Sequence, residues 1–295
     1  MGKYVIITDS SSDLSKEFRL ENNVDYAKMT INWTEKDGTT REEFASIDWD
    51  VLSIKEFYDI LRNGIRIFTS QITEENYLNT FVPHLEKGED IIYLACSSGL
   101  SASLKTAELL VEGQLKERFP DRKIVVIDSL RAGMALGLLV MEAVKLKNEG
   151  KTFEEVVQLI ESIKTQFKEV GIPDSLSYLK RAGRVKATQA FFGNIIGLKP
   201  ILVFNEVGGN EAKEKAIGKK AAFEKMSKMI AEDIVNPIEQ TIYLMSADCK
   251  QEDIEMFKEV ILKEVKVKEI VTEPLGPIIG ASSGPGTIIV NYRGK

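Results

Sequence analysis

The stretch "DIIYLACSSGLSASLKTAELLVEGQLKERF", residues 90–119, decides how the first half of this chain folds. Its apolar run from Ile91 to Ala95 shows no polar alternation, so it reads as a strand buried on both faces. The run breaks at "CSSGLSAS" (96–103), after which apolar residues recur at helical spacing to 119. Downstream the unit repeats: "KIVVIDS" (123–129) is a second buried strand, and "LRAGMALGLLVMEAVKLKNEG" (130–150) is a helix stopped by glycine. Upstream, "KYVIITDS" (3–10) reads as a strand, "SIKEFYDILRNG" (53–64) as a helix and "IRIFTS" (65–70) as a short strand. "TEENYLNTFVPHLEKG" (73–88) is a helix with Thr73 as N-cap and Glu74 and Glu75 in its first turn, where the helix dipole favours acids. Apolar strands alternating with helices predict a Rossmann-like N-terminal α/β domain whose parallel sheet is covered on both faces.

The pattern then changes. "TFEEVVQLIESIKTQFKEVG" (152–171) reads as one helix with a Thr152–Glu155 capping box. Two short helices follow, "SLSYLKRAG" and "ATQAFFGNIIG", then a hairpin "KPILVFNEVGGNEAKEKAIG" turning at Gly208 and Gly209. A helix (219–235), a strand (240–247), a helix (251–264) and strands at 267–273 and 287–292 complete the chain. The expected organisation is α/β with two domains: 1–169 with a parallel sheet, and 170–295, α+β with a mixed sheet. "GASSGPG" (280–286) reads as a long turn, which accounts for its glycines and proline but not for the hydroxyls of Ser282 and Ser283.

Composition bounds the function. The 295 residues are 43% hydrophobic and 28% charged, as in soluble globular proteins, and no apolar run approaches the about 18 residues of a membrane span. "MGKYVIITDS" carries no secretory features, and Cys96 and Cys249 lie far apart beside strand-like segments, which points to the cytoplasm and to free thiols. A net charge of −6, with bases interleaved among acids, argues against nucleic acid as a partner.

In parallel sheets, loops leaving the C-terminal strand ends form the ligand crevice. Those loops are "TDSSSD" (8–13), "FTSQIT" (68–73), "CSSGLSAS" (96–103) and "IDSLRAG" (127–133), and each carries Ser or Thr. Hydroxyls combined with helix N-termini hold an anion without a formal cation. Taken singly, Ser101 is equally an N-cap and Thr69 a strand-end residue. The one histidine, His84, is placed off this edge, and a Ser-His-Asp triad would have to use it. Neither a P-loop nor a G-x-G-x-x-G after a strand is present. Asp9 and Asp13 are either a hard-metal pair or, on the reading preferred here, turn and cap residues. Phe191, Phe192, Ile195, Ile196 and Leu198 are either core or the lining of an apolar pocket. A hydroxyl cluster with such a lining suits an amphiphile with one anionic end.

Together these motifs resemble the DegV family of bacterial fatty-acid-binding proteins over essentially the whole chain. The pieces, in order, are "TDSSSDL" at the first strand end, "TSQ" (69–71), "SSGLSAS" (97–103), "IDS" with Gly133 after it, "YLKRAGRV" (178–185), "GLKPIL" (197–202) and "GPIIG" followed by "GPGT" (276–287). The resemblance implies a two-domain α/β protein, not itself an enzyme and without a cofactor, that binds one long-chain fatty acid in a tunnel between the domains. It implies that Thr69 and Ser101 hold the carboxylate, with Ser98 and Ser282 as supporting donors and Arg184 as a headgroup or partner contact. The expected acyl lining is Phe191, Phe192, Ile195, Ile196, Leu198 and Ile279. Relatives of the fatty acid kinase type present the acid to a separate ATP-dependent kinase subunit, and the acyl phosphate feeds phospholipid synthesis. No membrane span is expected, although transient contact with a membrane surface is compatible with this role. Departures from the family pattern are Ile72 where proline is common, "LSAS" for "LSGT", "AGR" for "GGR", and Ser282 where many members carry histidine. The rival reading is an enzyme acting on a small polar metabolite through Ser101 or Ser98 and Asp9; no base is visible to activate either serine.

Overall fold

A computed structural model of the chain describes residues 3–186 and 197–295. Four parallel strands, β1 (Tyr4–Asp9), β2 (Asp25–Ala27), β6 (Asp90–Ala95) and β7 (Ile124–Asp128), form one sheet in the order β2-β1-β6-β7. Every residue of β1 and of β6 is buried, as their unbroken apolar runs require. A second, three-stranded antiparallel sheet joins β3 (Thr30–Thr34), β4 (Thr40–Phe44) and β5 (Phe68–Ser70) in the order β4-β3-β5. The expected strand at 65–70 is thus shorter and lies outside the parallel sheet, pairing Thr69 with Ile31.

The remaining strands, β8 (Phe167–Ile172), β9 (Val185–Lys186), β10 (Leu198–Phe204), β11 (Asn210–Ile217), β12 (Thr241–Ser246), β13 (Glu269–Pro274) and β14 (Ile288–Arg293), build a mixed sheet ordered β13-β12-β14-β8-β10-β11-β9. Two readings need correction here. The helix expected to run from 152 to 171 stops at Ile163, and β8 takes over after one 3-10 turn. Six residue pairs with β14 hold β8 extended, and its Gly171 lies so close to Ile289 that a Cβ there would stand 2.9 Å from that side chain. The expected 169/170 division falls inside this strand. The "GASSGPG" stretch is not a turn throughout, since Pro277–Ser283 is helical and contains both serines.

Helices Lys219–Asp233 and Gln251–Glu264 cover one face of the mixed sheet, their Phe223 and Phe257 rings stacked at 4.4 Å. On the opposite face, Phe167 of β8 and Ile289 of β14 belong to the same apolar core as the parallel sheet and the Gly133–Asn148 helix. The expected caps at Thr152, reciprocal with Glu155, and at Thr73 are present, and a second capping box joins Ser53 and Glu56.

The two sheets are joined by close backbone approach. The tip of the β10–β11 hairpin lies on the loop after β6, where the Ser97 hydroxyl donates to the Gly208 carbonyl at 2.8 Å. Gly208 has φ +74°, and a Cβ there would stand 2.8 Å from Leu130 Cα. Ahead of the Pro277–Ser283 helix, Gly276 lies against Asp13, and midway along it Tyr58 packs beneath the helix while donating to the Leu275 carbonyl at 2.7 Å.

Candidate functional site

The switch point of the parallel sheet, between β1 and β6, is filled from within. Asp9 is fully buried there and accepts from the Ser11 amide and hydroxyl at 2.9 and 2.6 Å, from Tyr93 at 3.1 Å and from the Cys96 amide at 2.7 Å. Burial raises its pKa, and these four donors work in the opposite direction. Ser10, Ser11 and Ser12 are equally buried, so the "TDSSSD" loop is a structural plug. Asp13 follows it in a left-handed conformation, φ +52°, its carboxyl pushed up to about 8 by burial, with the Gly276 N–H pulling it down and the Asp9 charge adding to the rise. Among the described residues no cluster of acids, histidines and cysteines suits a metal ion.

The ligand space lies outward of this plug. A cavity of about 220 Å³ runs between the loops after β5 and β6 and the face of the mixed sheet. Thr69, Ser101, Arg184, Ser282 and Ile279 all line it, so five of the expected site residues come together from four separate parts of the chain. Its apolar wall includes Leu179, Leu202, Ile278 and Ile289. Ser98 is not brought in: it is exposed, and its hydroxyl and amide are both tied to the Asp128 carboxylate. Leu198 opens β10 and does not line the cavity. Phe191, Phe192, Ile195 and Ile196 lie outside the described residues.

A residue missed in the sequence ties Ser101 to the segment that follows Thr69. Ser103, fully buried at the first turn of the Ser103–Leu110 helix, accepts the Ile72 amide at 3.1 Å and shares a 2.9 Å hydroxyl contact with Ser101. Ser101 Oγ also accepts the Ser103 amide at 3.2 Å, so Ser101 precedes the helix without being its N-cap, which is Ala102. Either hydroxyl can donate in the Ser101–Ser103 contact, and when Ser103 does, the Ser101 proton is free for another acceptor. Ser103 thereby fixes the "TSQ" segment against the "LSAS" segment. Only the fourth serine of "SSGLSAS" hinted at it.

Ser282 reaches the cavity mouth from the last turn of its helix, where its hydroxyl bonds back to the Ile278 carbonyl at 3.3 Å, and Ser283 does the same to Ile279 at 2.8 Å. Arg184 follows the Leu176–Ala182 helix and donates to the Leu100 carbonyl at 3.3 Å, which links it to the Ser101 loop. Deeper in, Glu169 and Cys96 face the cavity. Burial pushes the Glu169 carboxyl up to about 8 against the pull of Arg131, and the Cys96 thiol is pushed up by burial and by Asp9. Burial thus holds Glu169 toward its protonated form and Cys96 as an unreactive thiol. His84 lies elsewhere, between Glu89 at 2.7 Å and Asp25 at 3.4 Å. No pairing of Ser101 or Ser98 with Asp9 or His84 is assembled.

These positions suit hydrogen bonding to one small polar group at the mouth of an apolar space. Comparison with known proteins identifies the family and the fold. A family model described as an uncharacterised protein of the DegV family matches residues 3–294. A DegV domain-containing protein from Clostridium perfringens is 35% identical over 294 residues, covering 100% of this chain and 98% of its own length. Among solved structures, a Thermus thermophilus DegV family protein described by its fatty acid binding is 28% identical with a TM-score of 0.83, covering 99% of both chains. DegV of Bacillus subtilis, described as a fatty acid binding protein, has a TM-score of 0.82 at 22% identity, covers 100% of both chains and shares the fold. With the motifs in order, the mixed sheet behind them and matches running end to end, the chain belongs to the DegV family.

Proposed function

We propose that this protein binds a long-chain fatty acid between two domains, with its carboxylate held by Thr69 and Ser101, and presents it to a separate ATP-dependent fatty acid kinase. The observation that carries this reading is the shared cavity: the Thr69 and Ser101 side chains line it together with Leu179, Leu202, Ile278 and Ile289, and Ser103 ties the Ser101 loop to Ile72, three residues after Thr69. The fatty acid binding described for the Thermus thermophilus relative supports the ligand class. Ser282 and Arg184 stand at the same mouth as further donors. Where relatives carry histidine, Ser282 supplies a donor without charge, and it must release the Ile278 carbonyl to do so. Division of labour with a kinase fits a chain that has no nucleotide motif, and the phosphoryl group would pass from ATP to the bound carboxylate, leaving ADP and an acyl phosphate for phospholipid synthesis in the cytoplasm.

The saturation of Asp9 by four donors counts against the metabolite-enzyme reading. Native mass spectrometry of purified protein tests the proposal: a mass excess matching C14 to C18 acids is expected. A hydrogen bond to a charged group contributes about 1.5–3 kcal/mol, so Ser101→Ala and Thr69→Ala should each weaken binding by about tenfold to a hundredfold. Protein that neither carries nor takes up lipid refutes the function, and undiminished lipid in the double variant refutes the carboxylate assignment.

A further inference from the structure

The cavity does not end at its hydroxyls. Thr69, Arg184 and Ser282 also line a second, smaller pocket of about 80 Å³, which Arg66, Arg181 and Tyr178 line as well. Three arginines therefore line a space that shares Thr69, Arg184 and Ser282 with the proposed carboxylate site.

Each is held from behind and none is neutralised. Arg66 lies over the Phe68 ring at 4.1 Å and donates to the Arg181 carbonyl at 3.0 Å. Arg181 lies over the Tyr178 ring at 4.8 Å, and that ring is fixed by its own hydroxyl donating to the Leu61 carbonyl at 2.9 Å. Arg184 donates to the Leu100 and Ala182 carbonyls. None of the three forms an ion pair among the described residues, although the chain carries 45 acidic residues against 39 basic ones and pairs many of its other cations. Stacking and carbonyl contacts orient planar forks without cancelling their charge. All three are exposed to solvent and so accessible to an incoming anion.

A carboxylate alone does not call for this. It carries one charge and already has hydroxyl donors on the cavity side. A phosphate carries up to two charges and three acceptor oxygens, which parallel N–H donors of arginine match. The volume admits a group of a few heavy atoms and not a nucleotide.

We infer that Arg66, Arg181 and Arg184 form a phosphate site set directly against the carboxylate site, so that this protein holds a phosphorylated carboxyl group more tightly than the free acid. The inference rests on the fatty-acid reading above and deepens it. The same chemistry could be supplied by an acyl phosphate, with both groups in one molecule, or by inorganic phosphate beside a fatty acid, and the two are separable by experiment.

The test compares palmitic acid with a hydrolysis-resistant C16 acyl phosphonate, by displacement and native mass spectrometry, on the wild type and on R66Q/R181Q. Arg184 is left intact because it also lines the acyl cavity. The wild type should prefer the phosphonate by about tenfold or more, with the preference shrinking as salt rises. R66Q/R181Q should lose that preference while binding palmitic acid within about twofold of the wild type, and R66K/R181K, which keeps charge but not the fork, should fall between. If inorganic phosphate raises the melting temperature of the palmitate-loaded wild type and not of R66Q/R181Q, free phosphate is also a ligand of the site. An equal phosphonate-to-palmitate ratio in the wild type and R66Q/R181Q overturns the inference. A wild type that takes up neither lipid overturns the fatty-acid reading and this inference with it.

Discussion

Replacing Gly208 by alanine tests whether the β10–β11 hairpin tip holds the loop that carries Ser101. A left-handed φ of +74° costs an alanine about 1 kcal/mol. Its Cβ would also stand 2.1 Å from Ser97 Oγ and 2.8 Å from Leu130 Cα, and the second of these is backbone that cannot rotate away. Overpacking of that kind adds about 1–3 kcal/mol, for a total of about 2–4 kcal/mol. Gly38 is the control. It has φ +89° with nothing within 4 Å of its Cβ position, so Gly38→Ala bears only the conformational cost, about 1 kcal/mol. Urea titrations of the two variants therefore isolate the clasp as their difference, about 1–3 kcal/mol. Relaxing the clash moves the 97–101 loop, so Gly208→Ala should also lower bound lipid while Gly38→Ala leaves it unchanged. Variants that differ by less than about 0.5 kcal/mol, with equal lipid content, would refute the clasp.

Three further outcomes follow from the electrostatics and caps. Glu169 has a folded pKa of about 8 against an ordinary value near about 4.3, so its contribution is present below pH 4.3 and lost as pH rises through 8, at about 1.4 kcal/mol per pH unit. Glu169→Gln should thus match the wild type near pH 4 and exceed its stability at pH 8 to 9 in denaturant titrations; parallel curves would contradict the buried neutral acid. His84 is the opposite case in chemistry and the same in sign: bonding to Asp25 and Glu89 raises its pKa, so its stabilisation is full below about pH 6.5 and lost as pH rises through the higher folded value. His84→Gln should flatten that alkaline fall, which pH-dependent urea midpoints would detect. Thr152→Ala removes a reciprocal cap and should cost about 1 kcal/mol in the same assay without changing bound lipid.

What the sequence makes legible tracks how local the cause is. β1, β6 and β7 announce themselves by apolar runs, and both capping boxes sit within four residues of chain. β4 does not: "TREEF" is exposed at every residue, so no burial pattern marks it, and only pairing with β3 makes it a strand. β8 was hidden because "QFKEVG" continues the helical spacing before it, and its extended form is imposed by β14, more than a hundred residues on. The serines at 280–286 pass for turn residues because glycines flank them. Thr69 and Ser101 are visible as hydroxyls in loops, yet their common cavity depends on the bond from Ile72 to Ser103, 31 positions apart. Arg66 and Arg181 are separated by 115 positions, and although Arg181 sits in the "YLKRAGRV" stretch, nothing in the sequence places it beside Arg66.

The place of β14 in the mixed sheet bears on how the protein is made. It separates β12 from β8 and follows, in chain order, every strand it joins. During synthesis β8 therefore waits with one edge open, tied to β10 through the single pair Leu202 with Gly171. The parallel sheet can be complete long before, while the cavity still lacks the wall running from Ile278 to Ile289. On the fatty-acid reading, ligand capture would wait for this last strand, and a nascent or truncated chain without β14 presents the unpaired edges of β12 and β8 to its neighbours. For such a chain, lipid in the pocket would be a certificate of completed synthesis.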